Sequence, residues 1–93
     1  MPRIRTHPGA ILREEFLVPL NMSSRKLAQE LCVPANRISE LVRERRSMTA
    51  DTALRLSQYL GTTPTFWLNL QQLHDLSKAK AETDYSKLPK RAA

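Results

Sequence analysis

Ninety-three residues, 41% of them hydrophobic, with a formal net charge of +6, fit one small domain with a modest core and a polyanionic partner. The single cysteine, Cys32, excludes an internal disulfide, and only two glycines leave no glycine-rich phosphate loop. No apolar run is long enough to span a bilayer and no signal-peptide core follows the start, so no membrane partner and a cytoplasmic location are expected.

Residues 1–6 are basic and lack a core pattern. Arg3 and Arg5 either reach toward a polyanion or belong to a flexible, frayed end, and fraying is the favoured reading. A helix is predicted over 9–17, with Leu12 and Phe16 four apart on the buried face, Glu14 and Glu15 opposite, and Pro19 as its stop. Asn21 and Met22 then leave room for only a tight turn.

Residues 23–46, SSRKLAQELCVPANRISELVRERR, carry the spacing of a helix-turn-helix. Leu27 and Leu31 lie four apart on one short helix, Val33 falls in the turn, and Ile38, Leu41 and Val42 form a second helical stripe. Ala28 sits where the two helices approach most closely, so its small size matters. Ser23 or Ser24 is the expected cap of the first helix, and Pro34 suits the first turn of the second.

A step of about 100° per residue puts Asn36, Glu40 and Arg43 opposite that stripe, with Arg37 and Ser39 on its flanks. Asn pairs bidentately with adenine, Arg with guanine and Ser with several bases, while Glu accepts from cytosine or holds a neighbouring Arg. This is the chemistry of base reading in double-stranded DNA. Arg45, Arg46 and Ser47 follow where the helix ends, and Thr49 is the expected cap of the next, so cations and free N–H groups converge on a phosphate. A polar face with arginines can be merely solvated, but here the cluster is tied to the apolar register of two helices.

A fourth helix is predicted over 49–60, with Asp51 in its first turn, Ala53, Leu54, Ser57 and Leu60 on its buried side, and Gly61 at its C-cap. A fifth starts at Thr63 and Pro64 and runs through FWLNLQQLHDLSKAKAE. Its Phe66, Leu70 and Leu73 are expected to face the core, while Trp67 and Leu68 point away and Leu76 lies beyond the bundle. Trp67 and Leu68 either complete the core or form a dimer seam. The seam is preferred, with Phe66, Trp67, Leu68 and Leu70 as its residues, because such proteins commonly read two-fold operators as dimers. Residues 83–93 lack periodicity and are expected to be a mobile tail.

No catalytic constellation emerges. His7 and His74 are far apart in sequence and match no metal-ligand spacing, and no nucleophile setting surrounds any serine. Neither an enzyme nor a metal or other cofactor is expected.

The segments HPGAILREEFL, TADTALRLSQYLGTTP and FWLNLQ flank and extend the motif, and with it they resemble HigA-type (VapI-like) antitoxins of the XRE helix-turn-helix superfamily. The resemblance covers residues 7–71. It implies an all-α, compact five-helix bundle of the lambda-repressor-like type over 7–82. It also implies a homodimer that represses its own operon and neutralises a co-encoded HigB-type, RelE-like mRNA-cleaving toxin by binding it. Carried over by position, Asn36, Arg37, Ser39, Glu40 and Arg43 would read bases. Ser24, Arg25, Arg45 and Arg46 would contact phosphates, with Ser23 and Thr49 beside them. Two departures stand out: Ser24 replaces a common Gln, and Cys32 replaces a Gly in the turn, at a strain of about 1 kcal/mol if φ is positive there. The alternative is a stand-alone XRE-type repressor without a toxin.

Overall fold

Residues 3–91 are described by a computed structural model, in which they form five helices and a short 3₁₀ turn without a strand among them. The first helix, α1, spans Pro8–Ile11 and continues through a π-helical turn over Leu12–Leu17. Then follow α2 (Ser24–Leu31), α3 (Ala35–Val42), α4 (Ala50–Leu60), α5 (Pro64–Glu82) and the 3₁₀ turn Tyr85–Lys87. The fold is the all-α five-helix bundle that the sequence leads to.

Polar side chains start most of these helices by accepting an orphan backbone N–H. Ser23 Oγ accepts from Lys26 N at 3.0 Å, Thr49 Oγ1 from Thr52 N at 3.4 Å, and Thr63 Oγ1 from Phe66 N at 3.2 Å, just before Pro64. The cap of α1 is His7, whose Nδ1 accepts from Gly9 N at 2.9 Å. Pro34 lies one position earlier than expected, at the N-cap of α3 rather than inside its first turn. No side chain therefore caps α3, and the N–H groups of its first turn remain without a side-chain acceptor.

Three helix ends close in one way. Met22 N donates to Leu17 O at 2.9 Å, Val33 N to Ala28 O at 3.0 Å, and Arg45 N to Glu40 O at 2.9 Å. This is the Schellman closure, which needs a left-handed residue just before the donor and favours glycine there. Asn21, Cys32 and Glu44 occupy these positions at φ 52, 58 and 63, so Cys32 does adopt the strained conformation. At the end of α4, Gly61 takes φ 78 without that cost.

Leu12, Leu27, Ala28, Ile38, Leu41, Ala53, Leu56 and Trp67 are almost completely buried and form the centre of the core. Gln71 is buried among them: its Oε1 accepts from Met48 N at 2.7 Å and its Nε2 donates to Asp75 Oδ1 at 2.9 Å. A core glutamine thus fixes the α3–α4 loop to α5. Two arginines complete helix ends, with Arg13 donating to the Val42 carbonyl and Arg55 Nη1 to the Leu31 carbonyl at 2.8 Å. Each brings positive charge to the negative end of a helix dipole.

Other expectations are corrected as well. On α5, Trp67 is fully buried rather than turned outward, while Phe66 and Leu73 are 39% and 42% exposed. The buried face runs through Trp67 and Gln71, and a polar Gln hides that stripe from a hydrophobicity pattern. Trp67 therefore cannot belong to a dimer seam, and Leu68 and Leu70 are partly buried against the core. On α4, Leu54 is 58% exposed and Leu56 takes the core position. In α1, the wider π turn brings Leu17 onto the Leu12 face, leaving Phe16 half-buried beside Trp67 at a ring distance of 5.4 Å. At the N-terminus, Met1 and Pro2 lie outside the described residues, but Arg5 is docked rather than frayed. Its N–H donates to Ser77 Oγ at 2.7 Å, and its carbonyl accepts from His74 Nδ1 at 2.7 Å.

Residues 83–91 are exposed, and Asp84 caps their 3₁₀ turn through Ser86 N at 3.1 Å; Ala92 and Ala93 lie outside the described residues.

Candidate nucleic-acid interface

The two sides of α3 differ as the helical period requires. Ile38 and Leu41 are buried against α2 and α1, whereas Asn36 and Arg43 are exposed and Arg37, Ser39 and Glu40 are partly so. All five candidate base-reading residues thus keep a solvent-facing surface on one short helix. Helix α1 braces that helix from behind: Gly9 lies against the Leu41 carbonyl, and Arg13 holds the Val42 carbonyl.

The side chains on this face are not equally free. Glu40 Oε2 accepts from Arg46 Nε at 3.2 Å and Nη2 at 3.0 Å, so the acid steadies a cation beyond the helix end. Arg37 Nη1 donates to Asp51 Oδ2 at 2.6 Å. Ser39 Oγ donates to the Asn36 carbonyl at 3.4 Å. Arg43, at the C-cap, makes no ion pair among the described residues and extends the exposed ridge.

Around the ridge lie the candidate phosphate contacts. Arg25 and Arg45 are exposed cations, Ser24 is the first residue of α2, and Arg46 is half-buried with its guanidinium on Glu40. Ser23 and Thr49 spend their oxygens as helix caps, and Thr49 Oγ1 also donates to Thr52 Oγ1 at 3.2 Å. Their hydroxyls are thus less available to an outside anion than those of an uncapped serine.

Three features beside the site were not read from the sequence: Asp51 as an acceptor for arginines, Arg13 as a brace, and the meeting of His7 with His74. Asp51 carries a readable signal, since Arg55 follows it by four residues on α4 and donates Nε to its Oδ2 at 2.9 Å. Hydrogen bonds from Arg55 and then Arg37 hold the Asp51 carboxyl below the usual carboxylate range. Arg13 gives no such signal, because the acceptor that ties it to α3 is a backbone carbonyl, while its Nε donates to neighbouring Glu14 at 3.0 Å. His7 and His74, distant in the chain, meet edge to face with ring centroids 4.9 Å apart beside the Arg45–Arg46 turn.

Residues 12–67 match the helix-turn-helix family. Virulence-associated protein I of Dichelobacter nodosus is 51% identical over 82 residues, covering 88% of this chain and 74% of that protein. The Pseudomonas aeruginosa antitoxin HigA, solved with the higBA promoter, superposes with a TM-score of 0.86 at 39% identity, covering 94% of this chain and 97% of that one. An addiction module antidote protein of the HigA family from Coxiella burnetii gives 0.83 at 40% identity, covering 96% and 100%. The last two are named as an antitoxin and an antidote protein, and the family is one of DNA-binding regulators rather than enzymes. The chain belongs to the XRE-type helix-turn-helix family, among its HigA-type and VapI-like members.

Proposed function

We propose that this protein is the antitoxin of a two-gene module. In this reading it represses its own operon by inserting α3 into the major groove, and it neutralises a co-encoded HigB-type, RelE-like mRNA-cleaving toxin by direct binding in the cytoplasm. The observation that carries the DNA half is the ridge from Asn36 to Arg43, polar and outward on a helix whose other side is locked into the core. Supporting it is the likeness to a HigA solved with the higBA promoter. Asn36, Arg37, Ser39, Glu40 and Arg43 are the base-reading set, and Ser24, Arg25, Arg45 and Arg46 the phosphate set, with Ser23 and Thr49 acting mainly through the helix starts they cap.

The protein acts as a homodimer in this reading. A two-fold dimer reads two half-sites one helical turn, or a multiple of it, apart. Of the four residues expected at the seam, Phe66 keeps the largest free surface, and exposed Leu73 extends it along one face of α5 past half-buried Leu70.

Co-expression with the product of the adjacent reading frame tests the antitoxin role. Growth arrest by that product alone, relieved by this protein, supports the module. An adjacent product without toxicity, or arrest that persists, favours a stand-alone repressor using the same DNA chemistry.

A further inference from the structure

Asp51 stands in the first turn of α4, outside the helix assigned to the groove, yet its carboxylate joins that helix to the rest of the motif. Oδ2 accepts from Arg37 Nη1 at 2.6 Å and from Arg55 Nε at 2.9 Å. Arg55 Nη1 in turn donates to the Leu31 carbonyl at the end of α2, at 2.8 Å. A continuous polar chain thus runs from α2 through α4 to a residue of the recognition helix.

The atoms involved decide what Arg37 has left to offer. Guanine is read through two parallel N–H donors on one edge of a guanidinium. With Nη1 held by Asp51, the edge formed by Nε and Nη2 remains open, since neither atom has another partner among the described residues. An arginine beside DNA also pairs bidentately with phosphate, a contact that strengthens binding but carries no sequence information. The Asp51 carboxylate repels phosphate. Its hold on Nη1 and this repulsion direct Arg37 toward a base edge.

We propose that Asp51 is a specificity-determining residue that acts by positioning Arg37, so that one base pair of each half-site is read by a guanidinium kept off the backbone. This rests on the reading of α3 as the groove helix.

The test uses the full chain and its Asp51→Asn, Arg37→Ala and doubly substituted forms. Each is used to enrich a pool of randomised duplexes, followed by fluorescence anisotropy on the enriched duplex and a scrambled one. Wild type is expected to enrich a two-fold motif. Asp51→Asn should enrich that motif with the preference at one base pair per half-site lost, bind scrambled DNA more tightly, and discriminate about tenfold less. In the Arg37→Ala background, adding Asp51→Asn should change discrimination no further. An unchanged motif, the same loss of discrimination without Arg37, or uniform weakening on every duplex overturns the proposal. If wild type enriches no motif, the groove reading itself fails and takes this proposal with it.

Discussion

Gly9 of α1 packs its α-carbon against the backbone carbonyl of Leu41 in α3, so closely that a β-carbon there would overlap the oxygen and lie 2.8 Å from the carbon. The obstacle is main chain, which cannot rotate away as a flexible side chain would. Gly9→Ala should therefore destabilise the fold by about 1–3 kcal/mol or more, read as a lower urea midpoint at constant slope. It should also weaken DNA binding, since α1 and α3 must separate. A midpoint equal to wild type would show that this close approach does not set the position of α3.

Cys32 and Glu44 hold left-handed backbone that glycine adopts without a steric cost. Cys32→Gly relieves that strain but adds freedom to the unfolded chain, so the net gain should lie between a few tenths and about 1 kcal/mol. Thermal unfolding in the presence of reductant measures it. Gly61→Ala is the opposite case, with open space around it but φ 78, and it should lower the melting temperature.

Burial, and then the neighbouring His74, hold the His7 ring below its ordinary pKa of 6.5, and its Nδ1 must stay unprotonated to cap Gly9. Below 6.5 the unfolded chain takes up a proton that folded His7 resists. Its contribution is therefore complete above that value and is lost as pH falls through the lowered one. Melting temperature should decline on acidification from about pH 7 to 5. His7→Asn, which keeps a capping acceptor but cannot titrate, should flatten the decline, and an equally steep one in that variant would assign it to other groups.

Trp67 and Phe66 are adjacent but should behave differently. Trp67 is fully buried, with Nε1 donating to Thr62 Oγ1 at 2.7 Å, and Trp67→Ala should cost about 3–5 kcal/mol of stability. Phe66 is 39% exposed with its ring edge-on to Trp67 at 4.9 Å, and Leu73 is 42% exposed, so replacing both by Ser should cost less stability than Trp67→Ala while shifting sedimentation from dimer to monomer. A dimer that survives this double change would place the seam elsewhere.

The helix-turn-helix was legible because its signals are local: Leu27, Leu31, Ile38 and Leu41 at helical spacing, and Ser23, Thr49 and Thr63 at caps. The face of α5 was not, because its buried stripe passes through Gln71, whose burial is explained only by hydrogen bonds to Met48 and Asp75. Leu56 and Leu54 were exchanged because both are leucines on one helix, and only the direction of packing separates them. In α1, a five-residue π repeat replaces the expected four, which moves Leu17 rather than Phe16 into the core. The exposed polar face of α3 was readable in its helical period, but the contacts that brace the helix were not. Arg13 and Arg55 act on backbone carbonyls that carry no residue signature.

If α3 is the groove helix, its outward ridge reads base edges in the major groove. The most direct measurement is the ratio of affinities for a duplex from upstream of the protein's own operon and a scrambled duplex of equal length, at fixed salt, for wild type, Arg43→Ala and Arg45→Ala. Arg43→Ala should lose about 1–3 kcal/mol on the operator alone and so narrow the ratio, while Arg45→Ala should weaken both duplexes alike and lower the salt slope by about one. A ratio unchanged by Arg43→Ala, and likewise by Asn36→Ala, would contradict the account.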